Sequence, residues 1–89
     1  MGYRILISKK VNKDVELIKS LPNLKKNVDN LLKLISKNPF QTPPTYEKLV
    51  GNYKGMYSRR INRQHRLVYK VKEECKAVII VSMWSYYEF

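Results

Sequence analysis

The stretch MYSRRINRQHRLVYKV, residues 56–71, decides how this chain folds. Polar and apolar residues alternate along it, the period of a strand with one covered and one open face. Strands are expected over residues 56–62 and 66–72, with a turn at Arg63 and Gln64. In the first strand Met56, Ser58 and Arg60 share one face, while Tyr57, Arg59 and Ile61 share the other. In the second, Leu67, Tyr69 and Val71 form the face suited to an apolar layer, which leaves Arg66, Val68 and Lys70 on the open side. Antiparallel pairing then sets Arg60 beside Arg66, with Arg59 nearer the covered side or the sheet edge. Adjacent like charges repel, so such a pair is useful mainly where an anion fills the gap.

The rest of the chain supplies the covering layer and more strands. Residues 77–84, AVIIVSMW, read as a strongly apolar and central strand. Residues 3–8, YRILIS, read as another, with Leu6 between two isoleucines as in an inner strand covered on both faces. Val11, Val15 and Ile18 follow helical spacing, so a helix is expected over 9–20 with Ser8 as its cap. Pro22 ends it. A second helix, capped by Ser20 with Pro22 in its first turn, carries Leu24, Val28, Leu31, Leu32 and Ile35 on one face and stops at Asn38-Pro39. An extended QTPPT linker leads to a short strand at YEKL, and Gly51 and Gly55 bracket the following loop. The fold class is therefore α+β: an N-terminal strand, an α-helical hairpin, then an antiparallel twisted sheet. With 89 residues the chain is read as one domain, residues 1–89.

Charge points to the partner. From Lys48 to Lys72 there are eight basic side chains and no acidic one, with Glu47 and Glu73 just outside. The whole chain has 18 Lys and Arg against seven Asp and Glu, a net +11. Self-repulsion at that charge costs stability, so a polyanion bound to the folded state stabilises it. Arginine presents a planar fork of donors matched to phosphate oxygens. A sheet displaying guanidinium groups beside one carboxylate suits nucleic acid first and phosphodiester chemistry second. One cysteine and one histidine cannot supply a metal cluster, so neither metal nor cofactor is expected. No run approaches a membrane span, and a lone Cys75 fits a reducing cytoplasm. His65 is expected to act structurally at the strand start, and Trp84 to pack on the core or a dimer partner.

The block Y-S-R-R-I-N-x-x-H-R-L-V-Y, from Tyr57 to Tyr69, resembles the core motif of the YoeB/Txe toxins, a branch of the RelE/ParE superfamily. N-P-F at residues 38–40, E-K-L at 47–49 and the tail W-S-x-Y at 84–87 fit as well. The resemblance covers essentially the whole chain. It implies a RelE-like, microbial-ribonuclease-like fold and the toxin half of a type II toxin–antitoxin pair. The implied activity is a metal-independent endoribonuclease that cleaves messenger RNA on the ribosome and blocks translation. The implied partners are the ribosome and mRNA, an acidic antitoxin covering the active face, and a second copy in a homodimer. Residue by residue, the resemblance makes Glu47 the general base and Arg60 and Arg66 the phosphate clamps. Tyr87 becomes the residue that orients substrate. Where family members carry a histidine as general acid, this chain has Tyr86, and where a lysine often follows Glu-x-Leu it has Val50, with Lys48 close by. Arg59, Lys48 and Lys70 complete the expected phosphate-binding set. A non-catalytic basic module and a ParE-like toxin acting on DNA gyrase share the fold and charge, but only the nuclease requires Glu47 and an acid at Tyr86 or Tyr87.

Overall fold

In a computed structural model, which describes residues 2–84, a five-stranded sheet carries two helices on one face. Strand β1 (Arg4–Ile7) is followed by a 3-10 turn (Lys9–Val11), helix α1 (Asn12–Lys19) and helix α2 (Pro22–Lys37). Strands β2 (Tyr46–Lys48), β3 (Met56–Arg60), β4 (Arg66–Lys72) and β5 (Ala77–Ser82) follow among the described residues, in the spatial order β1-β5-β4-β3-β2. β1 runs parallel to β5, and every other pair is antiparallel. The α+β class expected from the sequence is the class found.

The core forms where the two apolar periodicities meet. Ile18 of α1 and Leu24, Val28, Leu31 and Ile35 of α2 pack on Leu67, Tyr69, Val78 and Ile80. Burying each large aliphatic side chain contributes about 1.5–3 kcal/mol relative to exposure, which is why so short a helix as α1 persists. Asp14 ties α1 to the end of the sheet by accepting a 3.1 Å bond from the Met83 backbone N–H. Among the described residues, no helix is long and apolar enough to cross a membrane.

Three local expectations are corrected. β1 is an edge strand, not an inner one, paired only with β5 among the described residues; Leu6 and Ile7 stand exposed, and Ile5 packs against the core. Ser8 caps nothing with its side chain, because a 3-10 turn precedes α1 and Ser8 accepts from Val11 N–H through its carbonyl. Ser20 does not cap α2 either: its hydroxyl turns back to the Leu17 carbonyl at 2.7 Å, and Leu21 occupies the cap position.

Candidate active site

The face of the sheet away from the helices carries the charged cluster. β2 and β3 pair so that Glu47 lies opposite Ser58, and β3 and β4 pair so that Arg60 lies opposite Arg66. Glu47, Ser58, Arg60 and Arg66 line one cavity of about 420 Å³, closed at its rim by Pro44 and Thr45. Arg66 Nη1 stands 3.6 Å from Glu47 Oε1. The Glu47 side chain is 58% exposed and that of Arg66 20%. A pair this loose and wet contributes at most about 1 kcal/mol to stability. Its arrangement matters more: one guanidinium approaches the carboxylate and that of Arg60, opposite Arg66, lines the same hollow.

The site keeps this shape because the segment between α2 and β2 is anchored from beneath. Arg59, which alternates to the helix side of β3, is 1% exposed. Its Nη1 donates to Pro44 O at 2.7 Å, its Nη2 to Pro39 O at 3.0 Å and Gln41 O at 2.8 Å, and its Nε to the Tyr69 hydroxyl at 3.1 Å. Tyr69 in turn donates to Pro39 O at 2.7 Å. The Tyr46 ring lies 5.1 Å from the Arg59 Cζ, adding a cation–π contact. Burial pushes the Tyr69 phenol above its ordinary pKa of 10.0, while the hydrogen bond and charge of Arg59 pull the other way.

Arg59 is therefore corrected as a phosphate ligand: all its donor directions but one are used inside the protein. Lys48 is also corrected as a neighbour of the cluster. It lies opposite Tyr57 while Glu47 lies opposite Ser58, so the period of two sends it to the other face. There it lines a separate cavity of about 300 Å³ with Lys54 and Val50. Lys70 is on the face of Arg66, exposed, and four residues further along β4. Tyr86 and Tyr87 lie outside the described residues.

The turn between β3 and β4 is held by Asn62, whose Oδ1 accepts from the N–H groups of Gln64 at 2.8 Å and His65 at 2.7 Å. His65 has the structural place expected of it: its Nδ1 lies 2.8 Å from Trp84 O and its ring stacks on Trp84 with centroids 4.2 Å apart. Trp84 packs against the core. Two features of the site escaped sequence reasoning. Alternation puts Ser58 on the face of Arg60, but nothing in the sequence joins its hydroxyl to the chemistry. The carbonyl cage of Arg59 left no sequence signal, since any residue type supplies a carbonyl.

This arrangement of strands and helices is that of the toxins of bacterial toxin–antitoxin systems. A YoeB/ParE toxin from Agrobacterium tumefaciens superposes with a TM-score of 0.86 over 94% of this chain and 99% of that one, at 22% identity, a likeness of fold. The YoeB–YefM complex from Staphylococcus aureus gives 0.82 over 96% and 98% at 33% identity, and the YoeB dimer from the same organism gives 0.81. The model of the YoeB-like toxins of bacterial type II toxin–antitoxin systems matches residues 8–87. Toxin YoeB from a Synechocystis strain is 37% identical over 65 residues, 73% of either chain. The chain belongs to the YoeB-like toxin family.

Proposed function

We propose that this toxin is a ribosome-dependent mRNA endonuclease that blocks translation by cutting the messenger without a metal. Glu47 takes the proton from a ribose 2′-OH, and the freed oxygen attacks the adjacent phosphorus. Arg60 and Arg66 hold the charge that accumulates on the phosphorane oxygens. The 5′-oxygen leaves with a proton from Tyr86, and Tyr87 orients the nucleotides. Positioning and electrostatic stabilisation carry most of such a reaction, so a ribosome that bends the messenger into line is a natural requirement.

The observation that carries this reading is the 3.6 Å approach of Arg66 to Glu47, with Arg60 across the strand, in one solvent-open cavity. A basic module that only binds RNA has no use for a carboxylate at the centre of its phosphate site, where it repels the ligand. A gyrase-directed toxin likewise makes no demand on Glu47. The relevant compartment is the cytoplasm, where ribosomes are. Neutralisation falls to an acidic antitoxin segment laid over the same face, complementary to a net charge of +11, and pairing of two toxin copies follows the dimer seen in the S. aureus relative. The test is cleavage of a ribosome-bound messenger beside Glu47→Gln. Wild-type cutting that falls by about 10²- to 10⁴-fold in the variant is expected; translation arrest that survives Glu47→Gln would move the target elsewhere.

A further inference from the structure

Ser58 sits in the middle of β3, opposite Glu47 and two residues before Arg60, so the three side chains rise from one face. It lines the cavity that holds Glu47, Arg60 and Arg66. The residue is 1% exposed, and its Oγ has no hydrogen-bond partner among the described residues. A hydroxyl is one donor and two acceptors, and leaving it buried and unpaired is costly. Alanine would fill the same place without that cost. Of the other buried polar groups, Arg59 and Tyr69 are satisfied, bonded to each other and to linker carbonyls. Ser82 Oγ, in the same cross-strand row through Val68, is also buried and without a partner among the described residues, but Ser82 does not line this cavity.

We propose that Ser58 Oγ is a third phosphate ligand of this site, donating a hydrogen bond to a non-bridging oxygen of the scissile phosphodiester between the Arg60 and Arg66 guanidiniums. The proposal rests on the nuclease reading and names a further group within it. A neutral donor suits the position better than a third cation. Arg60 and Arg66 already repel each other across the strands, and a lysine or arginine opposite Glu47 would draw the carboxylate away from the 2′-OH. A hydroxyl adds a directed bond without either effect. Ser58 exchanges no proton and forms no bond to phosphorus. Its contribution grows as negative charge gathers on the non-bridging oxygens, because a donor fixed in a strand needs no reorganisation when that charge appears. The orphaned hydroxyl is then the ligand-free state of a site whose last partner arrives with the substrate.

The experiment is single-turnover cleavage of a ribosome-bound messenger by wild type, Ser58→Ala, Ser58→Cys and Glu47→Gln, with melting temperatures of all four. Ser58→Ala and Ser58→Cys are expected to cleave roughly 10- to 100-fold more slowly, with melting temperatures no lower than wild type. The messenger is also prepared with each phosphorothioate diastereomer at the cut site. One diastereomer should slow the wild type, and that effect should shrink in Ser58→Ala, which a purely structural serine would not produce. If Ser58→Ala cleaves at the wild-type rate while Glu47→Gln is slow, the proposal fails and the nuclease reading stands. If wild type cuts nothing on ribosomes, both fall. A slowed Ser58→Ala that also melts lower and keeps the full phosphorothioate effect overturns the ligand role as well.

Discussion

Arg59 Nε donates to the Tyr69 hydroxyl at 3.1 Å, and both side chains then close on one acceptor, the carbonyl oxygen of Pro39. A guanidinium is thus held inside the protein by backbone carbonyl dipoles and a phenol. The linker it gathers, residues 39–44, ends at Pro44 on the rim of the Glu47–Arg66 cavity. Stability and site shape therefore meet at Arg59.

Shortening this side chain is expected to be severe. Arg59→Ala removes every bond to Pro39, Gln41, Pro44 and Tyr69, opens a cavity and strands the acceptors; a loss of about 3–5 kcal/mol is expected. Arg59→Lys keeps the charge but not the planar fork, so at least one carbonyl goes unpaired and a loss of about 2 kcal/mol is expected. Urea unfolding midpoints at constant slope measure both. An Arg59→Lys midpoint equal to wild type would mean that charge, not fork geometry, secures the linker.

Tyr69 makes alkaline stability a second readout of the same lock. Burial raises its phenol above the ordinary 10.0, partly offset by Arg59. The folded state therefore holds this proton more tightly than the unfolded state does. The contribution is complete below about pH 10 and is lost as pH climbs through the raised folded value. Tyr69→Phe strands the Arg59 Nε and should cost about 1–3 kcal/mol at neutral pH. Above pH 10 the wild type should lose ground that the Phe variant does not, so the gap between them narrows. Denaturation at pH 7 and pH 11 for the two proteins checks this; a gap that widens with pH would refute it.

What the residues disclosed and what they concealed divides along a physical line. Strand alternation put Arg60, Arg66 and Lys70 on the open face, because a period of two is local and needs no knowledge of the partner. The same rule, applied to Glu47 and Lys48, would have separated them, since adjacent strand residues cannot share a face. The Arg59 lock was hidden because its acceptors are backbone carbonyls set by the path of residues 39–44. The edge position of β1 was hidden too: a parallel seam with β5 joins segments some seventy residues apart, and no local pattern in YRILIS distinguishes that from a central strand. The tetrad of Glu47, Ser58, Arg60 and Arg66 was legible three parts in four, with Ser58 overlooked because a strand serine is ordinarily solvated.

Arg66 should separate activity from stability. It lies opposite Arg60, a like-charged cross-strand pair that costs about 0.2–1 kcal/mol. Its loose contact with Glu47 at 3.6 Å returns little of that. Arg66→Ala is therefore expected to melt at or slightly above the wild-type temperature while cutting ribosome-bound messenger about 10²- to 10³-fold more slowly. Arg66→Lys restores charge without the fork and should recover only part of the rate. A large fall in melting temperature for Arg66→Ala would instead make Arg66 a structural residue.

Tyr86 sets the last prediction, because the proposed mechanism makes it the general acid. A tyrosine titrates around pH 10 and is almost fully protonated at neutral pH, but it gives up its proton reluctantly; a histidine, at about 6.5, is matched to the task. A well-matched acid contributes typically 10²–10⁴-fold. Tyr86→His is accordingly expected to cut faster near pH 6–7, by roughly tenfold or more. The pH–rate profile should also change shape. A tyrosine acid remains protonated from pH 6 to 9, so its own titration leaves the wild-type rate level there. A histidine acid loses its proton in that interval, so the variant's rate should fall as pH rises past about 6.5. Single-turnover rates from pH 5.5 to 9 on ribosome-bound messenger measure both the height and the slope. A Tyr86→His protein with the wild-type rate and the wild-type profile would place the leaving-group proton on another residue, with Tyr87 the next to substitute.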